Sequence, residues 1–290
     1  MARYDRAFAL GISLNVAFIV IECVYGVLAG SLALVADAIH NTSDVLGLLL
    51  AWGATGLARR SPTHRRTYGF RRAPIVASLL SAIVLVVGVG AMIWEAVGRL
   101  GTDRPVHSMT IIVVAAIGIA INGATALLFV KGRKDDLNIR GAFLHMAADA
   151  AVSFGVVMAG VTILMTGWSW LDPVVSVAIG LLILIGTWSL LKESLDLVFD
   201  AVPRGVNISA VRGYLGALPG VASFHDLHVW GLSTTQCALT VHLVMPESSA
   251  DDRFLHSVSR ELHDRFGIEH ATIQVERGEG GCSLESPRCT

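Results

Sequence analysis

Two His-x-x-x-Asp pairs, His40 with Asp44 and His145 with Asp149, are the residues of this chain best suited to chemistry. Each lies inside a long apolar stretch, Ser31 to Leu57 and Arg140 to Gly167. On an α-helix, side chains four positions apart stand one above the other, so each pair can reach one small object together. Ionisable groups at membrane depth are costly and face a pathway or one another, which makes two matched pairs a functional-site hypothesis. Together they offer two imidazoles and two carboxylates. Zinc takes such nitrogen and oxygen ligands in tetrahedral geometry at about 2.0–2.2 Å, whereas magnesium and calcium want six or more oxygens. Cobalt and iron stand behind zinc, because affinity alone separates late first-row metals poorly. Either pair taken singly is also explained by an interhelical hydrogen bond, but identical spacing in two separate segments favours a metal.

The elements that must carry these pairs are membrane helices. Of 290 residues, 53% are hydrophobic and 16% charged, with a mean hydropathy of +0.63. Soluble domains carry about 25% charged residues, so much of this chain must face lipid. A net charge of -1 gives no basic excess for nucleic acid. The apolar run after Arg6 lacks a clear small-residue cleavage site and is expected to stay as a first helix. Six segments reach the roughly 20 residues that span a bilayer: Ala7 to Ala29, Ser31 to Leu57, Ala73 to Val97, Ser108 to Val130, Gly141 to Gly167 and Leu171 to Leu191. Basic residues follow the second segment (Arg59, Arg60, Arg65, Arg66, Arg71, Arg72) and the fourth (Lys131, Arg133, Lys134), which puts both termini in the cytoplasm. Trp168 and Trp170 fit an aromatic belt at the far interface, and Asp172-Pro173 is expected to cap the sixth helix.

This topology makes the second and fifth helices antiparallel. Asp44 lies roughly 20 Å along its segment from either end and Asp149 about 13 Å beyond Arg140, so both reach the middle of a core about 30 Å thick. Asp37 shares the stripe of His40 and Asp44, where it can orient His40 from behind or line the outer exit. Ser153 continues the stripe of His145 and Asp149. Asn122, Asn15 and Glu22 are candidates to line a wet cavity.

After Leu191 the composition changes, and Pro203-Arg204-Gly205 marks a boundary. The expected domains are 1–200 in the membrane, 201–277 as a small soluble unit, and 278–290 as a cysteine-containing tail. In the soluble unit Asn207 caps a helix to about Leu218; strands follow at Ser223 to Leu232 and Thr235 to Met245, a helix from about Ala250 to Phe266, and a last strand at His270 to Glu276. The order αββαβ is a two-layer α+β unit. Cys23, Cys237, Cys282 and Cys289 are too scattered for a disulfide framework; reduced thiols fit better, and the terminal pair can bind metal.

The chain resembles the cation diffusion facilitator family of zinc-transporting membrane proteins. The residues that carry the resemblance are Ser31-Leu32-Ala33-Leu34-Val35-Ala36-Asp37-Ala38-Ile39-His40-Asn41-Thr42-Ser43-Asp44, the Arg66-Thr67-Tyr68-Gly69-Phe70 turn, and His145-Met146-Ala147-Ala148-Asp149. In the soluble part they are His225-Asp226-Leu227-His228-Val229-Trp230 and His270-Ala271-Thr272-Ile273-Gln274-Val275-Glu276. The resemblance implies a homodimer in a cell membrane, of the bacterial inner-membrane type, with a metallochaperone-like cytosolic domain at the dimer contact. It also implies exchange of cytosolic zinc for protons by alternating access, and a cytosolic zinc near His225, His242 and Glu276, with Cys282 and Cys289 able to complete it. Gln274 stands where some bacterial members have a histidine. No histidine-rich loop joins the fourth and fifth segments, and arginines replace the ligands that some members carry after the second, so no metal is expected there. Histidine in the membrane set, where manganese-type members have carboxylate, favours zinc.

The function expected is proton-coupled export of zinc. Metal needs neutral imidazole and ionised carboxylate, so its binding expels protons, and His40 and His145 titrate in the right range to carry them. A membrane-anchored metal sensor or scaffold is the alternative. An intramembrane metalloprotease is disfavoured because no His-Glu-x-x-His run is present, and no enzyme is expected.

Overall fold

Six long helices come first: α1 (Ala2–Ala29), α2 (Leu32–Ala58), α3 (Ala73–Arg99), α4 (Ser108–Phe129), α5 (Leu137–Thr166) and α6 (Leu171–Val198). The computed structural model describes residues 2–102, 105–130, 137–247 and 250–278. Along the described residues Ala73–Arg99, Ser108–Leu127, Phe143–Thr166 and Leu171–Val198 are long and apolar enough to cross a bilayer; α1 and α2, at 28 and 27 residues, have the length. Trp94, Leu127, Met165 and Ile185 point outward, as side chains in contact with lipid do. The sixth helix runs on to Val198, beyond the apolar stretch that ends at Leu191, because Lys192, Glu193 and Asp196 are charged but not helix-breaking and carry it past the membrane core.

The chain divides into two compact units, 1–50 with 80–190 and 51–79 with 191–290. The core of the first is built on Phe18, Leu34, Val89, Ile111 and Val156. Here α4 packs on α1 and α5. A Cβ at Gly118 would stand 2.7 Å from Phe18 Cζ and 3.0 Å from Ser153 Oγ, so this close approach needs glycine. Asp172 does not cap its own helix. It lies within the first turn of α6, and its Oδ2 accepts from Leu32 N at 2.8 Å while Oδ1 accepts from Ser31 Oγ and from Ala33 N at 3.4 Å. The carboxylate thus sits at the N-terminus of α2 as well as in the first turn of α6, where each helix dipole favours negative charge.

The second unit holds α7 (Ile208–Gly216), β1 (Ser223–Gly231), β2 (Cys237–Val244), α8 (Asp252–Phe266) and β3 (His270–Glu276). Asn207 and Asp251 cap the two helices, accepting from Ala210 N and Phe254 N. The sheet order is β1-β2-β3, with β1 antiparallel and β3 parallel to β2. A parallel pair needs a crossover, and α8 supplies it. Leu239, Val241, Leu243, Leu215 and Leu262 form the core. The register shifts between His225 and His228, where Asp226 adopts φ 52°. This bulge is why Phe224, Leu227 and Val229 all reach the core although their spacing breaks strict alternation.

Candidate functional site

His40 and Asp44 come from the middle of α2, His145 and Asp149 from α5. The four side chains form a closed ring in which histidine and carboxylate alternate. His40 Nε2 lies 3.7 Å from Asp44 Oδ2 and 3.6 Å from Asp149 Oδ1. His145 Nε2 lies 3.3 Å from Asp44 Oδ2 and 3.6 Å from Asp149 Oδ2. His40 faces Asp149 and Asp44 faces His145, so numbers rise along α2 as their partners' numbers fall along α5: the helices are antiparallel across the site. Ligands at about 2.0–2.1 Å in tetrahedral geometry are about 3.3–3.4 Å apart. The contacts between neighbours in the ring supply four of the six edges of such a tetrahedron, at 3.3–3.7 Å, with Asp149 turning a different oxygen to each histidine.

The polar residues behind the ring are buried. Asp37, 1% exposed, accepts at Oδ2 from Ser153 Oγ at 3.2 Å, and it stands within hydrogen-bond reach of Glu22, which is fully buried. Asn41 Nδ2 donates to Glu22 Oε2 at 3.1 Å. His40 Nδ1 is buried without a hydrogen-bond partner among the described residues, so Asp37 is not bonded to it here. Asn122 is also fully buried, and Asn15 Nδ2 contacts Met146 Sδ at 3.6 Å. Asn41 carries no signal of its own in the sequence; only the packing of α1 on α2 reveals it.

A second cluster lies on the sheet. His225 and His242 are register partners across β1 and β2, and β3 brings Glu276 alongside. Glu276 Oε1 is 2.9 Å from His242 Nδ1 and Oε2 is 3.5 Å from His225 Nε2, with the two rings 5.1 Å apart. Each of the three offers a ligand atom within 4.8 Å of the others, which is compact enough for one ion. Gln274, the register partner of His242, donates to Glu276 Oε1 at 3.2 Å. The bulge adds two residues that spacing alone does not reveal: Asp226 Oδ2 lies 3.7 Å from His242 Nε2, and its Oδ1 lies 2.9 Å from His228 Nε2. Cys282 and Cys289 lie outside the described residues. Cys237 opens β2, where burial, followed by the charge of Glu269, pushes its thiol up from the ordinary range. The α2–α3 connection does hold one histidine, His64, exposed beside arginines.

The family model for the cation efflux transmembrane domain matches residues 8–198, and that for the cation efflux protein cytoplasmic domain matches 203–278. The chain is 36% identical over 273 residues to the metal cation efflux system protein CzcD of Cupriavidus metallidurans, covering 94% of this chain and 86% of that one. It is 35% identical to the zinc transporter ZitB of Escherichia coli, covering 93% and 86%. It is 33% identical to a cadmium, cobalt and zinc/H(+)-K(+) antiporter of Bacillus velezensis, covering 89% and 84%. A solved structure of the metal-bound C-terminal domain of the CzcD transporter, from the same organism as the first relative, is 40% identical; it covers 24% of this chain and 99% of its own, with a TM-score of 0.23. With both family models matched in order along the chain, this protein is a multi-pass membrane protein of the cation efflux, or cation diffusion facilitator, family.

Proposed function

We propose that this protein exports zinc from the cytosol in exchange for protons, with His40, Asp44, His145 and Asp149 as the ligands of the transported ion. The observation that carries this reading is the alternating ring itself, with neighbouring donors 3.3–3.7 Å apart. Two carboxylates balance one divalent cation. Without the metal, imidazolium protons held between the same carboxylates do so. Loading therefore requires the imidazoles to lose their protons, and acid on the far side drives release. Rocking of helices around a fixed midplane site then exposes it to one side at a time. The names of the ZitB and CzcD relatives support zinc and cation efflux. Cadmium and cobalt, named for the Bacillus relative, compete for the same donors.

In this reading both termini are cytoplasmic, as the arginine-rich connection after α2 requires in a bacterial inner membrane. The membrane domain takes in 1–200, the cytosolic domain 201–277, and 278–290 is the tail. The cytosolic domain binds zinc through His225, His242 and Glu276 and pairs two copies, as its match to a dimerisation-type family domain supports.

Zinc-for-proton exchange in proteoliposomes tests the proposal. Asp44→Ala and His145→Ala are each expected to lower initial flux by at least about tenfold, because losing one of four ligands removes charge or coordination that the ion cannot replace. Wild-type flux in both variants, or zinc binding without flux in the wild type, would exclude the proposal; the second result would leave the sensor reading.

A further inference from the structure

Glu22 on α1 and Asp37 on α2 are 0% and 1% exposed, and both are carboxylic acids. Each has one oxygen served by a neutral donor: Asn41 Nδ2 on Glu22 Oε2 and Ser153 Oγ on Asp37 Oδ2. The other oxygens, Glu22 Oε1 and Asp37 Oδ1, have no donor among the described residues. The two carboxyl groups stand within hydrogen-bond reach of each other. Among the described residues, no lysine or arginine forms an ion pair with either. Among the described residues, the titratable groups whose charge acts on the pair are Cys23 from α1, His40 from α2 and Asp149 from α5.

Two carboxylates in contact, both out of water, cannot both be ionised; one proton between them removes the repulsion and supplies the missing donor. We propose that Glu22 and Asp37 share a proton, and that this pair is a proton-binding position of the transport cycle distinct from the four metal ligands. The inference rests on the ring being the transport site. Asp37 is one helical turn before His40 on the same face of α2, so the pair's charge acts on whatever the ring holds. Losing the shared proton adds a negative charge beside the metal, and a divalent ion in the ring favours that loss. The proton titrates with the pair, not with either residue alone.

Infrared difference spectroscopy on the full chain in detergent tests this at neutral pH, with and without zinc. Expected in the zinc-free wild type is the carbonyl band of a protonated carboxylic acid that shifts in D2O, is lost on zinc saturation, and is absent from Glu22→Gln and Asp37→Asn. Proton release per zinc bound is expected to fall by about one in Glu22→Gln. A wild type without the band, a band that zinc leaves in place, or one that survives both substitutions would overturn the proposal. So would replacement of the band by a dependence of zinc transport on potassium, which would make the occupant a metal cation. If a variant does not fold, the wild-type band and its response to zinc and D2O still decide. His145→Ala separates the two readings: zinc-for-proton flux unchanged in that variant removes the ring as transport site, whereas the wild-type band reports on the pair alone.

Discussion

Asp44 Oδ2 of α2 lies 3.3 Å from His145 Nε2 of α5, the shortest contact in the membrane ring, and the same oxygen is 3.7 Å from His40 Nε2. One carboxylate oxygen therefore faces both imidazoles. Asp149 divides the task, turning Oδ1 to His40 and Oδ2 to His145. Asp149 is buried, whereas Asp44 and His145 are partly exposed. In the proposed cycle Asp149 is the fixed wall of the site and Asp44 with His145 its open side.

Ligand softness gives the first expectation. His40→Asp replaces an imidazole with a third carboxylate and should shift preference from zinc toward manganese, because oxygen donors suit harder ions. Competition of manganese against zinc uptake in proteoliposomes measures it; an unchanged ratio would mean that His40 does not meet the cargo.

Asp172 gives a second, about stability. Its carboxylate serves Ser31 Oγ and the amides of Leu32 and Ala33, all at the start of the helix that carries His40 and Asp44. Asp172→Ala leaves those buried donors unmet and should cost about 1–3 kcal/mol, read as a lower Tm in detergent. Asp172→Asn, which keeps an acceptor oxygen, should lose less.

On the sheet, Asp226 is placed to act on the proposed cytosolic zinc through His242. In a His145→Ala background, Asp226→Asn should weaken zinc binding by about tenfold or more, the usual effect of removing a partner that orients a ligand histidine. Equilibrium competition with a zinc chelator measures it, and Glu276→Ala, which removes a ligand outright, should weaken binding further.

Cys237 sets the sign of one pH dependence. Its thiol is held up by burial and then by Glu269, so the protonated form is favoured in the folded chain. Alkylation depends on the thiolate, so in a variant whose other cysteines are serine it should be slower than for free cysteine near neutral pH and rise as pH is raised. The linked stability is present below the unfolded thiol's value and lost as pH rises through the folded one.

That each His-x-x-x-Asp pair shares a helix face was legible from its four-residue interval, and the loop charges pointed to antiparallel α2 and α5. The last strand, His270–Glu276, falls where the alternation of apolar residues puts it. What the sequence concealed depends on partners distant in the chain. Asp172 reads as a cap for its own helix, yet its carboxylate goes to α2, since two helix N-termini meet at that point. Asp226 reads as an ordinary strand residue, and only the pairing of β1 with β2 exposes the bulge that turns it toward His242 and His228. Glu22 and Asn41 meet through packing of α1 on α2, which no local pattern encodes.

Anomalous diffraction at the zinc edge, from crystals of the full chain grown with zinc, tests the central claim most directly. The expected result is a peak between α2 and α5 bonded at about 2.0–2.2 Å to His40 Nε2, Asp44 Oδ2, His145 Nε2 and one oxygen of Asp149. Zinc on the sheet but none within bonding distance of those four residues would contradict it.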